Sequence, residues 1–399
     1  MTAPPLFLKR GEDRRLRTGH PWVFSNEVDI ARSPLTSFEP GVPVTVVAAN
    51  GQPLGAGYVN PGTLICARLL SRDPRACLDA ALIERRVRAA LALRERMFDR
   101  PEYRLVYAEG DALPGLTVDR YGPHLVVQIT TAGMERLRDA IVSALESVLA
   151  PESILLRNDV SIRALEGLPE YIEAAYGNAP DMFVIQEGGV EFEVPLLAGQ
   201  KTGWFFDQRC NRLAIGPEHV RGRRVLDVFS YVGAWGLRAA RMGAASVACI
   251  DRSAGAIARL RANALRNGHD AVVETIQDDA LAALHALREQ GRTFDVVILD
   301  PPAFIKRRKD VKSGLMGYLG LHRAALKLIG AQGLLVTASC SSHLTRDDFR
   351  NLLRQSAQQE HVNLRIIHQG TLPPDHPLHP VIPEADYLKC LHCHVSRTD

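Results

Sequence analysis

No stretch of the sequence approaches the roughly 18 uninterrupted apolar residues that a membrane-spanning helix needs, so no such span is expected. The amino-terminal run MTAPPLFLKRGEDRR lacks a basic stretch followed by an apolar one, the mark of a secretory leader, and a cytoplasmic protein is expected. Cysteine is sparse and odd in number. The seven residues Cys66, Cys77, Cys210, Cys249, Cys340, Cys390 and Cys393 are scattered, which argues against a disulfide framework and for reduced thiols, each either core filler or chemistry. The net charge is only +3, too small to make the whole surface a trap for polyanions. Internal repeats and low-complexity tracts are missing as well.

What remains is the composition of an ordinary globular chain, 46% apolar and 23% charged over 399 residues, enough for two or three domains of roughly 100–200 residues. The charge is unevenly spread. Residues 306–312 read KRRKDVK, and Lys9, Arg10, Arg14, Arg15 and Arg17 crowd the start. Basic patches on a near-neutral protein can hold a polyanion locally.

Three regions differ in pattern. Residues 1–73 carry short apolar runs around Asn50-Gly51 and Pro61-Gly62, hairpin signals that predict a small β-barrel. Residues 74–189 open with helical spacing from Pro74 to about Arg100, then mix strands (YRLVY, GLTVDR, HLVVQIT) with a helix expected from Gly133 to Leu149, a central α+β domain. From residue 190 to 399 apolar strands alternate with helices. That predicts an α/β fold with a parallel sheet covered on both faces.

In such sheets ligands bind beyond the carboxyl ends of the strands, and polar residues follow each apolar run directly. The first ends in Asp227, Phe229, Ser230, Tyr231 and Gly233. Its two glycines fall short of the dinucleotide fingerprint, which argues against a pyrophosphate and for a nucleoside ligand. Asp251 ends the second strand, where a carboxylate can accept from both ribose hydroxyls or stand at a helix start. Asp278 and Asp279 follow the third, placed for an adenine edge. Asp300-Pro301-Pro302-Ala303-Phe304 follows the fourth; its prolines fix an extended backbone and leave carbonyls free to accept. Ser339-Cys340-Ser341 ends the fifth, placing a thiol for nucleophilic work. The segment Cys390-Leu-His392-Cys393-His394 has no second CxxC and reads as a terminal strand, so no metal site is expected.

These segments resemble the class I S-adenosylmethionine methyltransferases, and more narrowly the bacterial 23S ribosomal RNA cytosine-5 methyltransferases with an N-terminal PUA domain. The resemblance covers essentially the whole chain: HPWVFSNEV (20–28), AEGDALPGLTVDR (108–120), QKTGWFFDQRCNR (200–212), FSYVG (229–233), DPPAF (300–304), SCS (339–341) and HP…YLK (379–389). It departs at Ala303, where a lysine is expected, and at GYLGLHR (317–323), both bearing on RNA contacts. It implies a Rossmann-like methyltransferase domain behind the PUA-like barrel. It also implies S-adenosyl-L-methionine as cofactor, with Lys201, Thr202, Phe205, Asp207 and Arg209 around its methionine end and adenosine. Asp207 suits an ammonium and Arg209 a carboxylate; a pair between the two, holding the linker to the sheet, is the alternative. Phe229 would pack on adenine or belong to the core, and Asp279, Asp300 and Pro301 complete the cofactor set.

Within that resemblance Cys340 is the expected nucleophile, adding to carbon 6 of a cytosine so that carbon 5 can attack. Asp300 would hydrogen-bond N3 or the exocyclic amine. The basic 306–312 run and the loop hydroxyls are expected to hold the thiol pKa below its free value of about 8.5. Lys306, Arg307, Arg308, Lys309 and Lys312 are expected to grip large-subunit ribosomal RNA, with the target base leaving its stack. No membrane partner is expected, and a homodimer is one state the sequence permits. Two other functions stay open: an N-methyltransferase in which DPPAF holds an exocyclic NH2 and Cys340 is incidental, and a non-catalytic RNA-binding assembly factor.

Overall fold

A computed structural model describes residues 3–196 and 202–397. Contacts divide the described residues into two compact units: one from Met1–Asp181, Leu196–Phe206 and Pro374–Pro383, the other from Met182–Pro195, Asp207–Pro373 and Glu384–Asp399. No helix among the described residues is long and apolar enough to cross a membrane.

The first unit begins with β1 (Pro5–Phe7), α1 (Arg14–Arg17), β2 (Trp22–Phe24), β3 (Val42–Val47), β4 (Pro53–Val59) and β5 (Ile65–Ser71). They form one sheet in the order β1-β3-β4-β5-β2, closed over Leu6, Leu8, Val23, Val44, Val46, Val59 and Leu69. The predicted turn at Asn50-Gly51 joins β3 to β4. Gly51 sits at φ +87°, a conformation that costs glycine nothing.

The same unit continues with α2 (Ala80–Met97), β6 (Glu102–Tyr107), β7 (Leu116–Tyr121), β8 (His124–Ile129), α3 (Ala132–Arg136), α4 (Arg138–Leu149), β9 (Ser153–Arg157) and β10 (Ile172–Gly177). Asp79 caps α2 by accepting from the Leu82 N–H at 2.9 Å, a bond that satisfies one orphan donor of the first turn. The sheet runs β10-β9-β8-β7-β6. The single helix expected over 133–149 is broken at Leu137, whose N–H bonds the Met134 carbonyl three residues back. At Gly133 a Cβ would stand 2.0 Å from the Tyr58 ring, so only glycine lets the barrel residue pack there.

The second unit comprises β11 (Met182–Glu187), β12 (Val190–Pro195), α5 (Arg209–Leu213), α6 (Pro217–Val220), β13 (Arg224–Val228), α7 (Ala234–Arg241), β14 (Ser246–Asp251), α8 (Ala254–Arg266), β15 (Val273–Gln277), α9 (Ala280–Glu289), β16 (Phe294–Leu299), α10 (Val311–Leu326), β17 (Ile329–Ser339), α11 (Arg346–Gln359), β18 (Val362–Gly370) and β19 (Lys389–Arg397). Its large sheet is ordered β15-β14-β13-β16-β17-β19-β18. Side chains alternate between two cores, as the period of 2 requires. Leu226, Val228, Ile250, Val297, Leu299 and Leu335 meet α9, α10 and α11, while Val225, Val247, Val296, Ile298 and Val336 meet Trp235 and Ala239 of α7 and Leu260 of α8.

Strands β13 to β17 are parallel, as predicted, but β19 runs antiparallel between β17 and β18. The parallel reading covers the five strands before it and gives this terminal strand no direction, for a physical reason. β19 is buried on both faces, so its apolar run has the signature of a parallel strand, while β18 is an edge whose exposed residues give little apolar signal.

Candidate active site

The loop after β13 holds two non-glycine residues in the left-handed region, Phe229 at φ +66° and Tyr231 at φ +49°, a strain of about 1–3 kcal/mol each that concentrates at functional sites. Bonds to the end of β14 hold it there. The Ser230 N–H and hydroxyl both reach the Ile250 carbonyl, at 3.0 and 3.2 Å, and the Tyr231 N–H donates to Asp251 at 2.9 Å. Gly233, at φ +95°, starts α7. Phe229 is half-buried and packs partly against the core.

Asp227 lies beneath this loop, fully buried. One carboxylate oxygen accepts from the Gly236 N–H at 2.9 Å; the other has no hydrogen-bond partner among the described residues. Burial pushes this carboxyl up to about 8; the Gly236 N–H opposes the rise, and the charges of Asp300 and Asp251 add to it. Asp251 is half-buried, and besides Tyr231 it accepts from the Ser253 N–H at 2.9 Å. The capping role falls to Ser253, which accepts from Ala256. Asp279 is exposed and caps α9, accepting from Leu281 at 3.0 Å. Asp278, also exposed, accepts from the Asp279 N–H.

Asp300, the first residue after β16, accepts from the Gln208 side-chain amide at 2.8 Å and from the Trp235 indole N–H at 3.0 Å. Burial raises its carboxyl above the usual range, and the Trp235 bond holds part of that rise back. Pro301 is buried. Phe304 lies on Tyr318 of α10 with ring centroids 4.7 Å apart. The Tyr318 hydroxyl in turn bonds Ser339 at 2.8 Å and Ser341 at 3.1 Å, and the Ser341 hydroxyl accepts from the Ile305 N–H at 3.2 Å. The DPPAF and SCS loops are therefore laced together through α10. Leu299 pairs with Thr337, so Asp300 and Cys340 leave neighbouring strands at the same edge of the sheet. Cys340 is half-buried. The cation set against its loop is Lys389, whose ammonium donates to the Ser341 carbonyl at 2.7 Å. The basic residues Lys306, Arg307, Arg308, Lys309 and Lys312 are exposed.

In the short segment before β13, Asp207 accepts from the Tyr387 hydroxyl at 2.6 Å. Arg209 and Arg212 both meet the buried Glu187, Arg209 at 3.5 Å and Arg212 through two contacts of 2.5 and 2.9 Å. Thr202 and Phe205 belong to the first unit, where Thr202 donates to Asp119 at 2.5 Å and its carbonyl accepts from the Tyr121 hydroxyl. Lys201 lies outside the described residues. The structure thus brings Asp227, Phe229, Ser230, Tyr231, Gly233, Asp251, Asp300, Pro301 and Cys340 to the carboxyl edge of one sheet, and Gln208 ties the Asp207–Arg209 segment to it. Sequence reasoning gave no role to Gln208, Trp235, Tyr318 or Lys389. Each stands in or beside a recognised segment, but only the folded chain shows what it touches. Among the described residues no group of three or more His, Cys, Asp or Glu could hold a metal ion.

Comparison with known proteins adds to this geometry. A PUA-like domain model matches residues 6–72, and a model of S-adenosylmethionine-dependent methyltransferases matches residues 169–392. Ribosomal RNA large subunit methyltransferase I of Shewanella denitrificans is 36% identical over 389 residues, covering 96% of this chain and 97% of that protein. The protein of the same name from Photobacterium profundum is 35% identical over 396 residues, covering 98% and 99%. Among solved structures, one methyltransferase complexed with S-adenosylhomocysteine shares the fold at a TM-score of 0.84 and 23% identity, over 98% of this chain and 100% of that one.

Proposed function

This chain belongs to the S-adenosylmethionine-dependent methyltransferases, alongside ribosomal RNA large subunit methyltransferase I, and from that premise we propose that it forms 5-methylcytidine in large-subunit (23S) ribosomal RNA, with Cys340 as the nucleophile. The observation that carries the proposal is a half-buried thiol at the carboxyl end of β17, beside the strand that ends in Asp300 and in a loop bonded to DPPAF through Tyr318 and Ser341.

The residues present fit the cofactor. Asp227 is buried with one unpartnered carboxylate oxygen, which a donor from a ligand would satisfy. The strained 229–233 loop carries main chain to the end of β14, where Asp251 stands half-buried. Asp207, Asp227, Phe229, Ser230, Tyr231, Gly233, Asp251 and Pro301 would hold the group. Asp279 contributes less than its position promised, because one of its oxygens is occupied as a helix cap. Bound there, S-adenosylmethionine supplies an electrophilic methyl group on a sulfonium sulfur.

The rest of the chemistry falls to the chain. Cys340 loses its proton to solvent and its sulfur adds to carbon 6 of the cytosine, which pushes electron density onto carbon 5. Asp300, held by Gln208 and Trp235, accepts a hydrogen bond from the exocyclic amine and so orients the base for the addition. Once carbon 5 is methylated, its proton passes to solvent, the C5–H electron pair re-forms the ring double bond, and the Cys340 thiolate is expelled. The exposed Lys306, Arg307, Arg308, Lys309 and Lys312 neutralise flanking phosphates.

Digesting rRNA to nucleosides after reaction with methyl-labelled cofactor tests this. Labelled 5-methylcytidine from the wild type and none from C340A is the expected result. Label on an exocyclic nitrogen, or full turnover by C340A, overturns it; so does failure of the wild type to bind the cofactor in a calorimeter.

A further inference from the structure

Lys389 is the first residue of β19 and pairs with Ser339 across the sheet, so the chain sets a lysine beside the residue preceding Cys340. The side chain is 3% exposed. Its ammonium donates to the Ser341 carbonyl at 2.7 Å, spanning the loop in which Cys340 is the middle residue. Among the described residues no carboxylate lies within ion-pairing distance of that nitrogen. Asp386, three residues earlier, belongs to Arg346 at the start of α11, which meets it at 3.0 and 3.1 Å and also donates to the Leu388 carbonyl.

A buried ammonium with one neutral acceptor is costly unless a negative charge lies near it. The groups whose charges act on it are Cys340, Arg346 and Asp386, and the last two are already paired with each other. Cys340 stands outside that pair, and its sulfur, when ionised, would balance the ammonium.

We propose that Lys389 is a positioning residue for the reaction: it fixes the Cys340 loop through the Ser341 carbonyl and stabilises the Cys340 thiolate by its charge. The proposal rests on the nucleophilic role of Cys340 only for its consequence in catalysis; the coupling of ammonium to sulfur stands by itself. Burial holds the Lys389 ammonium down to about 8 while Cys340 pushes it up, the behaviour of a cation with an acidic neighbour. Tyr318 of α10 is hydrogen-bonded to Ser339 and Ser341, so β19 and α10 both hold the loop.

The experiment is the pH dependence of iodoacetamide alkylation of Cys340 in the full-length protein, followed peptide by peptide by mass spectrometry. In the wild type the half-point for Cys340 should lie below those of the exposed Cys77 and Cys210, which also report on folding. K389M should move the Cys340 half-point up by about one pH unit, roughly a 10-fold loss of alkylation rate near neutral pH, and K389R should keep it near the wild-type position. A wild-type half-point no lower than those of the exposed thiols overturns the proposal without any variant. So does an unchanged profile in K389M, and so does K389R behaving as K389M, which would make the effect one of packing. In turnover, K389M should lower kcat with an alkaline-shifted pH profile and leave cofactor KM unchanged. Full activity in C340A alongside a shifted alkylation profile in K389M would remove the nucleophile and leave the coupling standing.

Discussion

The indole N–H of Trp235 donates to Asp300 at 3.0 Å, a bond that joins α7 to the residue immediately beyond β16. Trp235 is 3% exposed, and its ring also fills the core on that face of the sheet. The bond favours the ionised carboxylate against the burial that disfavours it.

W235F keeps most of the ring volume and deletes the donor. Asp300 then loses the opposing effect and its pKa rises further. If the carboxylate is the working form, the acidic limb of the pH–rate profile moves to higher pH, with a rate loss of roughly 5–30-fold at neutral pH, the value of about 1–2 kcal/mol for one such bond. The pH dependence of kcat for both proteins checks this; superimposable profiles would separate Asp300 from the chemistry.

Asp227 makes a prediction about stability. Its folded carboxyl, pushed up to about 8 by burial, binds a proton more tightly than in the unfolded chain, where the usual value is about 3.9. A raised folded pKa contributes stability that is fully present below the unfolded value and is lost as pH rises through the folded one. In the cofactor-free protein, D227N removes the titration, and its asparagine oxygen can still accept from Gly236. The mutant should therefore gain thermal stability over the wild type between about pH 4 and 8, by a few kcal/mol at the top of that window. Melting curves at pH 5.5 and 8.5 decide it; a constant gap would mean that Asp227 stays ionised throughout.

How much of this was legible beforehand depended on what each residue's signal reports. Asp227, Asp251, Asp300 and Cys340 each follow an apolar run directly, and a parallel sheet must deliver such residues to one edge; that inference needs only sequence order. The partners were hidden because they arrive from other elements. Gln208 and Trp235 reach Asp300 from 92 and 65 positions away, and Lys389 reaches Ser341 from 48. Asp279 carries two signals at once: its position after β15 suggests a ligand contact, but aspartate is also a strong helix cap, and here one of its oxygens serves α9. The antiparallel insertion of β19 was illegible because burial on two faces reads the same in either direction.

The basic run makes a prediction about RNA. Lys306, Arg307, Arg308, Lys309 and Lys312 are all exposed, so replacing three of them by glutamine should leave the fold intact. Every phosphate that is no longer neutralised makes the slope of log affinity against log salt shallower by about 0.7–0.9. The triple variant should bind rRNA more weakly at low salt and with a slope shallower by about 2. Filter binding across a salt series measures it, and an unchanged slope would place these residues away from the RNA.

Glu187 carries the last prediction. It sits at the end of β11, 9% exposed, against Arg212, 2% exposed, in a two-bond contact of 2.5 and 2.9 Å, with Arg209 at 3.5 Å. Removing one partner leaves the other's buried charge only partly compensated, in Glu187's case by Arg209, so R212M and E187M should each destabilise the fold, by up to about 3–5 kcal/mol. The double variant removes both charges of the two-bond contact, leaves Arg209, and should lose less than the sum, because the desolvation cost of that pair is gone. Arg212 also acts electrostatically on Asp227 and Asp300, drawing both carboxyls down. R212M should therefore shift the acidic limb of the rate profile upward as W235F does, and the double variant should regain stability without regaining that limb. Denaturant melts give the first comparison and pH–rate profiles the second. If the two recover together, the pair serves the fold alone; if they separate, the β11–β12 hairpin holds a cation whose field sets the charge of the site.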